Sequence, residues 1–236
     1  MKISLRELFT SPDAFLVQYE GDKALLLDMD RASYERSLFC DQRISAASER
    51  VVAVNSQPLI DRLADAAPAP GPVGHIFHTA HCGSTLLARA LDLTSASLVI
   101  REPLVLRQLG VEASALEDPA ADRDWQGRLD LVRRMLARRY DPSAPVVVKA
   151  NVPVNLMLDA LVRADPEAAS ILLYLPLEAY LLAVLRTDNH QNWVRSIHAE
   201  LNGRFLEPGI EGSSAIVMLA ASLWLGQIRR FAAVLD

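Results

Sequence analysis

One short stretch changes its hydrophobic period and so constrains the fold of the whole chain: Gly74-His-Ile-Phe-His-Thr-Ala-His-Cys-Gly-Ser-Thr-Leu-Leu-Ala-Arg-Ala-Leu91. Its first half, His75 to Ala80, reads as a short buried strand. From Ser84 onward the apolar residues Leu86, Leu87, Ala90 and Leu91 follow the spacing of one helix face. Between the halves lies a tight turn centred on Cys82-Gly83-Ser84-Thr85. A strand that turns straight into a helix aims several backbone N–H groups at one point, and the helix dipole adds partial positive charge there. The expected ligand is an anion, phosphate or sulfate. Ser84 and Thr85 can donate hydroxyl hydrogen bonds to it, although both residue types also favour an ordinary helix N-cap. Gly83 suits a positive φ or a close ligand approach.

Spacing narrows the chemistry. A nucleoside-triphosphatase loop needs G-x-x-x-x-G-K-[ST]. Here Ser84 stands in the lysine position and His78 in the first glycine position. A thiolate phosphatase loop, H-C-x-x-x-x-x-R, can start at His81-Cys82, but Ala88 falls where the arginine belongs. Arg89 comes one residue later, a rotation of about 100° on a helix.

The segment Ala80-His-Cys-Gly-Ser-Thr-Leu-Leu-Ala-Arg-Ala-Leu91 resembles the 5′-phosphosulfate loop of the sulfotransferase family, commonly R-S-G-S-T-L-L followed by a helix. Gly83, Ser84, Thr85, Leu86 and Leu87 match its core. Downstream come Ser97-Leu-Val-Ile-Arg-Glu-Pro103, then Val146-Val-Val-Lys149, then Ile171-Leu-Leu-Tyr-Leu-Pro176 entering a helix, so the resemblance covers about residues 74 to 190. It implies a three-layer α/β fold of the P-loop type with a central parallel sheet. It implies transfer of a sulfuryl group from 3′-phosphoadenosine 5′-phosphosulfate to a hydroxyl or amine, with His81, Cys82, Gly83, Ser84, Thr85 and Arg89 about the donor. The family's 3′-phosphate contacts fall where this chain has Tyr174 for arginine, Leu175 for aspartate and Ala183 for serine; Arg186, one turn on, is the substitute cation. Readings from other classes are a non-catalytic phosphate- or nucleotide-binding protein and a small-molecule kinase.

Glu102 leaves the strand after the loop at the sheet edge where ligands bind in open parallel sheets. It is the candidate general base, against the alternative of an acid that caps the following helix. Lys149 ends an apolar run at the same edge; it either reaches for water or neutralises charge on the leaving oxygen, a role also open to Arg89. Asn151 and Asn155 make that segment polar. Arg101 reads as a surface ion pair or a partner of Glu102 or sulfate. His81 is a further candidate acid, base or cation. His75 and His78 point to opposite faces of a strand, which excludes a shared metal ion with His81. Cys82 at a helix N-terminus is either a lowered-pKa thiolate or a small loop residue. His190, His198 and Trp193 read as surface residues.

The net charge of −5 argues against nucleic acid as partner. Two cysteines, Cys40 and Cys82, make no disulfide framework. The longest apolar run, Ala215 to Ala221, is shorter than the roughly 20 residues a bilayer needs. No signal-peptide pattern opens the chain. The expectation is a cytoplasmic protein that binds a nucleotide donor and a small-molecule acceptor; the oligomeric state is not legible.

Residues 1–67 read as an α+β appendage, with a hairpin about Glu20-Gly-Asp-Lys23, a helix capped by Asp30 and a helix from Leu59 to Ala66. A proline-rich linker at 68–73 precedes the α/β domain, 74–236. Helices are expected over Trp125–Tyr140, Val154–Ala164, Leu177–Arg186, Asn192–Leu201 and Ser214–Leu235, with a variable loop over Gly110–Asp124. Sulfotransferase domains usually continue past such a last helix, so a truncated C-terminal region is expected.

Overall fold

The computed structural model describes residues 4–62, 71–94, 96–206 and 215–235. The first half of the expected linker, and the end of the helix expected to reach Ala66, lie outside them. In chain order the first elements are α1 (Leu5–Thr10), β1 (Ala14–Glu20), β2 (Lys23–Asp28), α2 (Arg31–Arg36), β3 (Val51–Asn55) and α3 (Ser56–Asp61). The next are β4 (Val73–His78), α4 (Ser84–Leu91), β5 (Leu98–Arg101), α5 (Leu104–Ala115) and α6 (Arg123–Leu136). Then come β6 (Val146–Lys149), a 3-10 helix (Val152–Met157), α7 (Leu158–Ala164), β7 (Ser170–Leu173), α8 (Leu177–Val184), α9 (Asp188–Glu200) and α10 (Ile216–Ala233).

Two sheets form. β1, β2 and β3 make an antiparallel meander. β5, β6, β4 and β7, in that order, make a parallel sheet. The short apolar strands need long crossovers to pair in parallel, and the helices between them provide these. Because both faces are then covered, the strands read as nearly continuous apolar runs. Ile76, Val99 and Val147 face α4 through Ala88, Leu87 and Leu91. Phe77, Leu98, Ile100, Val146 and Val148 face α5, α6 and α7.

The face of α4 differs from the one expected. Ser84 and Ala88 are buried and Leu87 and Leu91 half-buried, whereas Leu86 is 75% exposed. The sheet meets the helix through its narrow side, so small residues at i and i+4 take the contact. The expected loop over Gly110–Asp124 is also corrected, since α5 runs to Ala115 and buries Gly110. That glycine has a packing reason. A Cβ there would stand 2.6 Å from the carbonyl oxygen of Pro153, at the start of the 3-10 helix.

The N-terminal unit is not set apart from the sheet. Leu8, Phe9, Phe15, Leu16 and Tyr34 share one apolar core with Leu106, Trp125, Leu131 and Val148. Polar groups tie the same seam. Gln108 of α5 accepts from the Tyr19 N–H (2.9 Å) and donates to the Tyr19 carbonyl (3.2 Å). Buried Arg138 donates to the carbonyls of Leu8 and Ala14, at 2.6 and 2.8 Å. Arg101, only 2% exposed, is not the surface ion pair expected. It donates to Asp92 (2.5 Å) and to the carbonyls of Tyr34, Glu35 and Ser37 at the end of α2, where a cation complements the helix dipole.

α10 is long and apolar enough by length and composition to cross a membrane, with a mean hydropathy of 1.2, and 28% of it is buried. It packs on α8 and α9 through Ala220 and Leu223, and its buried Gln227 accepts from Asn155 at 2.7 Å. The chain is an α/β fold with one weakly apolar helix.

Gly110→Ala will test the α5 contact. Forcing a methyl group against a backbone oxygen costs about 1–3 kcal/mol, which at this size lowers Tm by about 2–4 °C per kcal/mol. A thermal melt reads it; an unchanged Tm means α5 and the 3-10 helix do not meet this closely.

Candidate functional site

The loop after β4 is set by a buried histidine. His78 Nε2 lies 2.8 Å from the Ala150 carbonyl and Nδ1 3.0 Å from the Ala80 N–H. One nitrogen must donate and the other accept, which holds the ring neutral with its proton on Nε2. Burial first, then the charge of Lys149, push its pKa down from 6.5 to about 3. The chain then turns through three left-handed residues, Ala80 (φ 72°), His81 (φ 51°) and Gly83 (φ 84°). Left-handed backbone is uncommon outside glycine, and neighbouring strands hold it in place. The Thr79 N–H and the Cys82 Sγ both reach the Leu173 carbonyl at the end of β7, at 3.2 and 3.5 Å.

Gly83 is the N-cap of α4 and no side chain caps that helix. Its orphan N–H groups, the positive end of its dipole and the half-buried Thr85 therefore face the C-terminal edge of the sheet beside buried Ser84. The strand order brings the ends of β5 and β6 to the same edge. There Lys149, 1% exposed, donates to Glu102 Oε1. The same carboxylate oxygen lies 3.9 Å from His78 Nε2. Glu102 reaches this position from left-handed backbone (φ 51°).

These groups line a cleft of about 820 Å³, within the usual range for small-molecule sites. His81, Gly83, Ser84 and Thr85 form one wall, and Glu102, Lys149 and buried Asn151 the floor. The Asn151 Oδ1 has no hydrogen-bond partner, so the floor presents an open acceptor. Phe39, Asp41, Gln42 and Arg43 of the N-terminal unit overhang it. The Phe39 ring centroid lies 5.4 Å from Lys149 Nζ and 4.2 Å from the Arg43 guanidinium. The overhang is hydrogen-bonded down: the Cys40 N–H donates to the Arg101 carbonyl (2.6 Å), and its carbonyl accepts from the Leu104 N–H (3.0 Å). The far wall is α9. His190 lies 4.3 Å from the His81 ring, centroid to centroid, and Trp193 meets His81 edge-on at 5.5 Å. Burial and the neighbouring His190 lower the pKa of His81.

The structure brings the sequence candidates His81, Gly83, Ser84, Thr85, Glu102 and Lys149 to one cleft. Three proposed donor contacts fall elsewhere. Arg89 is exposed on the last turn of α4, five residues and about 500° of helix rotation from Ser84. Arg186 is exposed beyond the end of α8, since that helix stops at Val184. Cys82 turns its half-buried thiol to Leu173, and burial raises its pKa rather than lowering it. Arg101 faces Asp92 and α2, not Glu102. His75 and His78 lie on opposite faces: His75 stacks on Phe77 at 5.3 Å, while His78 lines the cleft.

The sequence reading missed the overhang and the far wall. His190, Trp193 and Ile197 recur at i, i+3 and i+7, the stripe of one helix face, and that was the available signal. Phe39 to Arg43 has no comparable pattern, because an irregular segment shows no period.

Comparisons with protein-family models, with curated proteins and with solved structures find no match for this chain.

The buried histidines predict acid sensitivity. His78 and His75 have folded pKa values of about 3 and about 4, both below the ordinary 6.5. The unfolded chain thus binds protons first as pH falls, and stability present above pH 6.5 declines toward pH 4. Each histidine contributes up to about 1.4 kcal/mol per pH unit. Denaturant unfolding at pH 7 and pH 5 should show a shallower loss for His78→Gln than for the parent chain; equal losses refute the assignment.

Proposed function

We propose that the cleft is a sulfotransferase-like site in a P-loop-type fold, taking the anionic end of a phosphosulfate nucleotide on the 81–85 loop. The observation that carries this reading is the uncapped, left-handed entry into α4 at the sheet edge, with the Lys149–Glu102 pair beside it. In the reaction, the acceptor oxygen or nitrogen bonds to sulfur as the bond from sulfur to the phosphate oxygen breaks. The acceptor proton goes to the Glu102 carboxylate, and the electron pair of the broken bond leaves on the phosphate. The Lys149 side chain faces the charge developing there. His78, neutral and donating to Ala150, holds the floor and takes no proton.

The fit to the donor is partial. The phosphosulfate end suits an uncapped helix N-terminus. Tyr174 is 54% exposed and Ala183 sits in α8, and neither they nor Leu175 lines the cleft. A specific observation favours the non-catalytic reading as the alternative: the cations lining the cleft already have carboxylate partners. Arg43 pairs with Asp41, Arg107 with Glu200 and Lys149 with Glu102.

Ser84→Ala combined with Thr85→Ala should weaken anion binding by about 1.5–3 kcal/mol for each lost charge-assisted bond, with the melt unchanged. Glu102→Gln should keep binding and slow transfer by about 10²–10⁴-fold. Calorimetry and a sulfated-product assay read the two effects. Binding without transfer by the parent chain selects the non-catalytic reading, and unchanged affinity in the double variant places the anion elsewhere.

A further inference from the structure

We propose that the nucleotide this cleft takes has a single anionic tail, at its 5′ end, and a bare 3′-hydroxyl, with its base against the His81–His190–Trp193 corner. This rests on the nucleotide reading above and goes beyond it, because it separates this site from one built for a 3′-phosphorylated donor.

The charge balance of the cleft is the first observation. Among the described residues, its lining carries three cations, Arg43, Arg107 and Lys149, against two carboxylates, Asp41 and Glu102. Glu200 accepts from both terminal guanidinium nitrogens of Arg107 and removes the remaining surplus. Asp41 takes Arg43 through Nε at 3.0 Å, and the Phe39 ring covers that guanidinium. A phosphate needs cations or aimed N–H groups to replace its water. The α4 N-terminus supplies such groups at one place only. A second phosphate would have to break an existing ion pair, and the carboxylate released would repel it.

The aromatic corner is the second observation. His81 leaves the loop on left-handed backbone, which turns its ring toward α9. His190 is fixed from behind, with Nδ1 3.0 Å from the Ala183 carbonyl. That bond makes Nδ1 the donor, and in the neutral ring Nε2 is then an acceptor. Trp193 is half-buried and closes the corner. Flat rings of this kind gain from stacking a planar heterocycle, and the free His190 nitrogen can take an exocyclic N–H. The corner shares its cleft with the loop through His81 itself, so one molecule can engage both.

Calorimetry of the full chain with adenosine 5′-monophosphate, adenosine 3′,5′-bisphosphate and inorganic sulfate tests this. The two nucleotides should bind within about threefold of each other. Trp193→Leu and, separately, His190→Gln should weaken adenosine 5′-monophosphate by about tenfold, equivalent to about 1.4 kcal/mol, and leave sulfate unchanged. A bisphosphate bound ten or more times tighter overturns the bare 3′-hydroxyl and leaves the sulfotransferase-like reading standing. Undiminished nucleotide binding in both variants overturns the base position. Sulfate binding without nucleotide binding overturns the whole inference. If no probe binds, the nucleotide reading itself falls.

Discussion

Arg101 connects the first sixty residues to the parallel sheet. It is the last residue of β5, so its backbone lies at the ligand edge, and its guanidinium points back into protein. There it meets Asp92 and the carbonyls at the end of α2. Asp92 also holds Arg31 at 2.8 Å. A buried guanidinium is costly unless its donors are occupied, and here they are occupied by one helix end and one carboxylate. The overhang from Phe39 to Arg43 begins three residues after α2 and is clamped through Cys40 to the backbone of Arg101 and Leu104. The roof of the cleft is thus positioned by the same strand that leads into Glu102 on its floor.

The floor has a similar economy. Parallel pairing of β5 with β6 sets Arg101 opposite Lys149, so the next residue, Glu102, lies within reach of the lysine. The Glu102 N–H donates to the Lys149 carbonyl at 2.7 Å. Backbone and side chains of these two residues therefore close on each other. A buried lysine needs such a partner, and an incoming substrate must share or displace it. Asn155 extends the arrangement inward, donating to the His78 carbonyl and to Gln227 of α10. The last helix is thereby linked through Asn155 to the loop strand, and none of its residues lines the cleft.

Much of the sheet was legible in order. β5 and β6 have the bounds that their apolar runs indicated, and β4 and β7 differ by one or two residues at each end. The hairpin forms about Gly21, whose φ of 58° the turn requires. Asp30 caps α2 by accepting from Ser33. The missed elements are the ones whose local signals are weak. α1 is short, β3 alternates exposed and half-buried residues, and α5 contains a glycine and two β-branched residues. Their conformations come from packing, as the buried contact of Gly110 with Pro153 illustrates.

What the sequence determined by itself is the strand–turn–helix at 74–91 and the parallel strands that follow, because period and turn chemistry are local properties of the chain. Glycine at 83, hydroxyls at 84 and 85 and an acid and a lysine at strand ends were visible as residue types. Tertiary structure alone decided which of them meet. It joined Lys149 to Glu102, sent Arg89 and Arg186 to the surface, and turned Arg101 away from the ligand edge. It also recruited Phe39 and Arg43 from one end of the chain and His190 and Trp193 from the other. Those choices depend on strand order and on where helices stop, and burial of charge in a low-dielectric interior enforces them only once the chain is packed.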